Sequence, residues 1–458
     1  MPDINLQKIN NIHFVGIGGI MMSALASYFL SLGKTVSGSD RDRTHITVEL
    51  EKYGVAIFHG HCRENVGGLT ELVIYTMAVA KDNPELLFAR KHRLPILTVY
   101  QLLGLLSRQK YTVVVSGMHG KSTTTSIIGL LAEQAGLDPT VFVGTRVQEW
   151  RSNFRSGRSE YFISEACEYQ DNFLNFRPDV LVITNVEAEH LDYFGNLSNI
   201  KKSFKRLVSQ IKPLGTLVIN WDDENAKELA NNFQGMMVTY GIKNRADFQA
   251  KDIFINRKGE TEFILKSPVA NDFVITLKIP GIFNIYNALA SLSASYAIGV
   301  KLKSAQKTIE KFHGVWRRFE YKGKKNGIDI YDDYAHHPTE IRATLSATGE
   351  KFKNRDWWLI FQPHLYSRTK DFLNEFASAL NSAPNLIIAE IYPAREENKW
   401  GISSRDLVDL INKRYQRKKP ALYFADFVEI ENFLKREVKR GEIVMTMGAG
   451  EAYKAISW

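Results

Sequence analysis

Short apolar runs alternate along this chain with longer stretches whose apolar positions recur at helical spacing. NIHFVGIG reads as a strand, MMSALASYFLSLG as a helix, KTVSGSD as a second strand and ELVIYTMAV as a later one. That alternation predicts a parallel sheet with crossover helices. The pattern restarts near residue 109, where RQKYTVVVSG runs from basic to β-branched to glycine. A strand is predicted over 111–115 and a helix over 122–135, with YFISEA, DVLVITNV and TLVINW as further strands. DFQAKDIFINRKGETEFILKSPVANDFVITLKI then alternates with period two, which predicts antiparallel hairpins added to the parallel sheet. GIFNIYNALASLSASYAIGV follows as a helix rich in small residues. A third α/β pattern starts near Val315, with strands at IDIYDDY, WWLIFQPH, NLIIAEIYP, ALYFAD and EIVMTMGAG and helical stretches such as SRTKDFLNEFASAL between them. The predicted division is 1–108, 109–314 and 315–458.

Composition narrows the class. At 458 residues the chain exceeds one ordinary core, and 44% apolar with 24% charged residues is the balance of a folded protein. The net charge of +9 comes from dispersed Lys and Arg with no nucleic-acid module, so no nucleic-acid partner is expected. Cys62 and Cys167 match no metal-ligand spacing and suit a reducing compartment. The opening MPDINLQKINNIHF has no signal-peptide pattern, and no apolar run reaches the length of a membrane span. A cytoplasmic protein with no membrane partner is expected, as monomer or homodimer.

Two glycine-rich turns carry the chemistry. The second, SGMHGKSTTT, lies between the strand over 111–115 and the helix over 122–135. The phosphate-loop pattern G-x-x-x-x-G-K-S/T fails strictly, because Val115 stands at its first glycine; Gly117 and Gly120 frame a shorter turn. Backbone N–H groups at the helix start still face an anion, Lys121 adds a point charge, and Ser122 offers a hydroxyl to a divalent cation. Glu165 and the cluster Glu187, Glu189, His190 and Asp192 end neighbouring strands, where further metal ligands are expected. The first turn, with Gly16, Gly18 and Gly19, has Asp40 at the end of the next strand and is close to a dinucleotide fingerprint. Met21 occupies the third glycine position, so either a dinucleotide or a nucleotide sugar fits this pyrophosphate seat.

GIGGIMMS, SGSD, SGMHGKSTTT, SEACEYQDNFL, TNVEAEHLDYFG, FNIYNALA, GVWRRFE, DDYAHHPTEI, FQPHLYSRT and MGAG occur in that order. By these motifs the chain resembles the Mur ligases along its whole length. The resemblance implies three α/β domains: an N-terminal Rossmann-like domain for a UDP-sugar, a central P-loop ATPase-like domain with added antiparallel strands, and a C-terminal Rossmann-like domain. It implies amide formation, in which ATP phosphorylates the lactoyl carboxylate of UDP-N-acetylmuramate and L-alanine attacks the acyl phosphate. Mg2+, or Mn2+, is the implied metal.

Residue roles follow from the resemblance. Gly16, Gly18, Gly19, Ser39 and Asp40 would serve the UDP-sugar. Gly117, His119, Gly120, Lys121, Ser122 and Thr123 would hold ATP, with Asn284 and Asn287 at its adenine or ribose and Arg318, Asp333 and Tyr334 from the third segment. Ser122, Glu165 and His190 would hold the metal. Lys121, His190, Arg318, His336, His364 and Arg368 would form the catalytic set, the last two facing the acyl phosphate or the amine. Arg317 and Arg318 read equally as a solvated pair, and Lys201, Lys202 and Lys205 as a basic helix face or a source of a carbamylated lysine. Leu365 stands where some members carry an arginine, which leaves that contact to Arg368.

Overall fold

The computed structural model describes residues 4–394 and 396–456. The chain folds as two compact units, one made of the chain up to Lys251 with Ile264–Ile275 and Tyr286–Phe312, the other of Asp252–Phe263, Thr276–Ile285 and the chain from His313 onward. The expected α/β class is borne out.

The first unit holds a five-stranded parallel sheet in the order Ala56–His59, Thr35–Asp40, Asn11–Val15, Leu72–Tyr75, Ile96–Thr98. Its central strands are buried on both faces, so they read as continuous apolar runs rather than alternating ones. In a second sheet, Tyr111–Ser116 lies between Val180–Ile183 and Tyr161–Glu165, all parallel. Thr216–Asn220 and Met236–Gly241 extend it on one side. Thr140–Val147 and its antiparallel partner Ser152–Arg155 close the other side, and the sequence patterning had not marked either strand. The period-two region becomes Phe248–Ile255, Thr261–Ser267 and Ala270–Leu277, consecutive neighbours in the sheet. Their short connections leave no room for a crossover, so they are hairpins as expected.

One apolar core serves both sheets of the first unit. Phe14, Phe29 and Leu25 belong to the same buried cluster as Phe142, Phe162 and Phe173. Tyr28 meets Phe142 edge-on at 5.5 Å between ring centres, and Asn153 donates to the Ile20 carbonyl at 2.5 Å.

The second unit is built on a six-stranded sheet in the order Glu320–Lys325, Ile328–Asp333, Ile443–Met447, Trp357–Phe361, Asn385–Ala389, Leu422–Phe424. Only the first pair is antiparallel. The single helical stretch expected at SRTKDFLNEFASAL is two helices, Tyr366–Asp371 and Leu373–Leu380, because Phe372 leaves helical geometry between them (φ −112°, ψ 23°). Among the described residues no helix is long and apolar enough to cross a membrane.

Candidate active site

Sheet order dictates which loops meet. Because Tyr111–Ser116 sits between the strands ending at Glu165 and Ile183, the segments 116–121, 165–168 and 184–190 share one carboxyl edge. Gly117 (φ 136°) and Gly120 (φ 83°) take the backbone region that β-carbons resist, and the turn runs into the helix Lys121–Gln134. A β-carbon on Gly120 would collide with the Asn287 amide oxygen. Asn185 clamps the turn, accepting from the His119 N–H at 2.9 Å and donating to the His119 carbonyl at 3.0 Å. His119 also pairs with Glu187.

Lys121 curls over its own loop. Its ammonium donates to the Gly117 carbonyl at 2.5 Å, the Met118 carbonyl at 3.0 Å and Glu168 Oε2 at 2.9 Å. Glu168 Oε1 lies 3.2 Å from His190 Nε2, so one buried carboxylate joins the phosphate loop to the His190 segment. Burial alone would raise the Glu168 carboxyl, but the Lys121 charge and the bond to His190 bring it down to about 2. Burial would likewise lower the Lys121 ammonium, and Glu168 outweighs it and holds it above the ordinary lysine value. Ser122 donates to Glu165 Oε2 at 2.7 Å. His190, Gln170 and Asp171 all adopt left-handed backbone (φ 53°, 54° and 58°), so the segments flanking Glu168 are held in strained geometry.

The structure thus brings Lys121, Ser122, Glu165 and His190 to one edge of the sheet. It adds Glu168 and Asn185, which the sequence reasoning missed. The signal for Glu168 was available: a second acid three residues beyond Glu165, at the end of a strand beside the phosphate loop. Asn287 is buried and accepts from Thr124 Oγ1 at 3.4 Å, while the Asn284 amide donates to the Pro280 carbonyl at 2.7 Å within the second unit. Lys201 pairs with Glu228 at 2.8 Å, and Lys205 adds its charge to that carboxylate, as a basic helix face would.

At the first turn, the Gly16 and Ile17 N–H groups donate to the Ser39 carbonyl at 2.8 and 3.0 Å, and Gly18 N–H donates to Asp40 Oδ2 at 2.8 Å. Asp40 therefore anchors the glycine turn itself. Met21 packs its side chain against the apolar core instead of crowding the turn.

In the second unit, Arg317 and Arg318 part company. Arg317 is buried, not solvated: it pairs with Asp332 at 2.7 Å and donates to the Gly448 and Gly450 carbonyls at 2.7 and 3.1 Å. Arg318 pairs with Glu340 at 3.0 Å and lies over the Tyr334 ring. Asp333 accepts from the Phe319 and Ala335 N–H groups, each at 2.7 Å, and its burial lifts the carboxyl to about 6. His364 stacks on Tyr392, and its Nδ1 lies 3.2 Å from Arg368 Nη1. An arginine only donates, so His364 Nδ1 accepts and the proton sits on Nε2. Burial, then the Arg368 charge, push His364 down to about 4. The His336 ring lies 6.1 Å from that of His364, and burial pushes it to about 3 against the pull of Glu340. Leu365 is left-handed (φ 70°) and starts the helix that carries Arg368.

Three family models match in order: "Mur ligase family, catalytic domain" over residues 11–111, "Mur ligase middle domain" over 115–295 and "Mur ligase, glutamate ligase domain" over 317–450. A UDP-N-acetylmuramate–L-alanine ligase of Caldanaerobacter subterraneus subsp. tengcongensis is 45% identical over 99% of this chain and 97% of the relative. One from Agathobacter rectalis is 42% identical over 98% of this chain and 97% of its own length. The crystal structure of a UDP-N-acetylmuramate-alanine ligase from Thermotoga maritima superposes with a TM-score of 0.83 at 30% identity, covering 97% of each chain. A murein peptide ligase from Psychrobacter arcticus shares the fold, with a TM-score of 0.72 at 24% identity over 96% of each chain. On these matches, the chain belongs to the Mur ligase family.

Proposed function

We propose that this chain joins L-alanine to the lactoyl carboxylate of UDP-N-acetylmuramate, with ATP cleaved to ADP and phosphate, as a cytoplasmic step in making peptidoglycan precursors. The observation that carries the reading is the phosphate loop with Lys121, Glu165, Glu168 and His190 gathered at one sheet edge, in a chain 45% identical over 99% of its length to a ligase of that name. Residues 1–108, 109–314 and 315–458 serve as UDP-sugar, ATP and ligase domains.

A carboxylate is a poor acyl donor because oxide would have to leave; as an acyl phosphate it loses phosphate instead. Two anions must meet to make that mixed anhydride, so cationic groups have to offset their repulsion. Gly117, His119, Gly120 and Thr123 wrap the phosphates with backbone and side-chain donors. Lys121 exchanges one of its present acceptors for a phosphate oxygen. Ser122, Glu165 and His190 would hold a divalent cation; two hard oxygens already 2.7 Å apart beside a phosphate loop suit Mg2+, and the imidazole nitrogen also suits Mn2+. When bound, that cation would neutralise charge on the phosphate oxygens. Asn284 and Asn287 take the nucleoside. From the second unit, Arg318, with Asp333 and Tyr334 bracing its loop, contributes positive charge. His364 offers a neutral Nε2–H donor to the acyl phosphate, with Arg368 and His336 beside it.

Phosphate release from ATP tests the reading. With UDP-N-acetylmuramate present, release should require L-alanine. Release that ignores alanine but needs the UDP-sugar would keep carboxylate activation and overturn the identity of the amine.

A further inference from the structure

Behind the first turn lies a carboxylate that the reaction scheme does not use. Glu85 is fully buried in the first turn of the helix Pro84–Lys91, where Pro84 sets the helix start and Asn83 accepts from the Glu85 N–H at 2.9 Å. Its Oε2 accepts from Ser39 Oγ at 2.6 Å and its Oε1 from Asn65 Nδ2 at 2.5 Å. His13 Nε2 and His61 Nδ1 lie 3.7 and 3.5 Å from Oε2. Burial alone would raise this carboxyl, but the His13, Ser39 and Asn65 contacts hold it below the ordinary range, so it is charged at neutral pH.

The hydrogen bonds have a determined direction. Ser39 has one hydroxyl proton, and an ionised carboxylate only accepts, so that proton points at Glu85. The 3.0 Å bond between Ser39 Oγ and His61 Nδ1 is then donated by His61. Glu85 therefore sets the tautomer of His61, whose side chain is 24% exposed while that of Glu85 is 0%. The Ser39 carbonyl holds Gly16 and Ile17, and Asn65 also donates to the Gly60 carbonyl at 3.1 Å. One buried charge thus draws together three loops at the carboxyl edge of the first sheet: the glycine turn, the Ser39–Asp40 segment and residues 60–65.

We infer that Glu85 is a positioning residue for the UDP-sugar: through Ser39 and Asn65 it fixes the floor under the glycine turn and orients His61 as a hydrogen-bonding contact to that ligand. The inference rests on the first turn being the UDP-sugar seat. It is tested on the full chain with Glu85→Gln, which keeps the shape and removes the charge. Calorimetric Kd for UDP-N-acetylmuramate should rise about tenfold or more, and KM for it should rise in parallel. KM for ATP, and kcat at saturating UDP-sugar, should stay within about twofold. The His61 ring-nitrogen shifts in NMR should show a single tautomer in the parent and lose that signature in the variant. His61→Ala, on the more exposed member, should give the same selective rise and covers the case in which Glu85→Gln does not fold. Either variant, folded and binding UDP-N-acetylmuramate as the parent does, overturns the inference, as does an equal rise in KM for both substrates. A parent chain that binds ATP but no UDP-sugar would instead sink the reading of the first turn, and this inference with it.

Discussion

Lys121 has three N–H bonds, and all three are already in use, on two loop carbonyls and Glu168. A phosphate therefore enters by exchange, and a carboxylate beneath the loop keeps the ammonium charged and placed until then. The histidines of the second unit show the opposite economy of charge. The fold keeps His336 (about 3) and His364 (about 4) neutral, while an unfolded imidazole titrates near 6.5. Their folded values are depressed, so their stabilising contribution is complete above the unfolded value and lost as pH falls toward 4 and then 3. Each withholds up to about 1.4 kcal/mol per pH unit across its window. The denaturant midpoint of the second unit should therefore drop between about pH 7 and about pH 5, and His364→Gln should make that slope shallower. A flat parent profile would contradict the burial of both rings. At this scale the sequence showed which residue types carry chemistry, and Lys121, Ser122, Glu165 and His190 do share one sheet edge. It could not show Glu85 as a partner, because that carboxylate acts through tertiary contacts to Ser39 and Asn65, far along the chain.

The loops and helices make these placements possible. The turn before the helix Lys121–Gln134 depends on Gly120 being left-handed and lacking a β-carbon beside Asn287. Gly120→Ala should cost about 1–2 kcal/mol in backbone strain alone and raise KM for ATP, read by denaturant melts and steady-state kinetics. Arg317 has the corresponding role in the second unit, tying the end of Ile328–Asp333 to the Gly448–Gly450 loop. Arg317→Ala leaves Asp332 buried without its partner, and a loss of about 3–5 kcal/mol is expected in the same melts. A change under about 1 kcal/mol would mean that the pair is solvated after all. Most strands were legible because buried parallel strands leave unbroken apolar runs. The strands Thr140–Val147 and Ser152–Arg155 were not, since Gly144 and Arg146 interrupt the first and the second, SNFR, has a single apolar residue. The helix break at Phe372 has no glycine or proline to announce it.

Two glycine-led turns lie at the carboxyl edges of two sheets within one compact unit, and in the proposed function each takes one nucleotide. The proposed chemistry depends on that division of labour. The most direct test is a double dissociation by calorimetry on the full chain. Lys121→Ala should bind a non-hydrolysable ATP analogue at least about a hundredfold more weakly, while its Kd for UDP-N-acetylmuramate moves less than about twofold. Asp40→Asn, which weakens the anchor of Gly18, should do the reverse. Loss of both ligands in either variant, or loss of the UDP-sugar in Lys121→Ala alone, would contradict the assignment of one turn to each nucleotide.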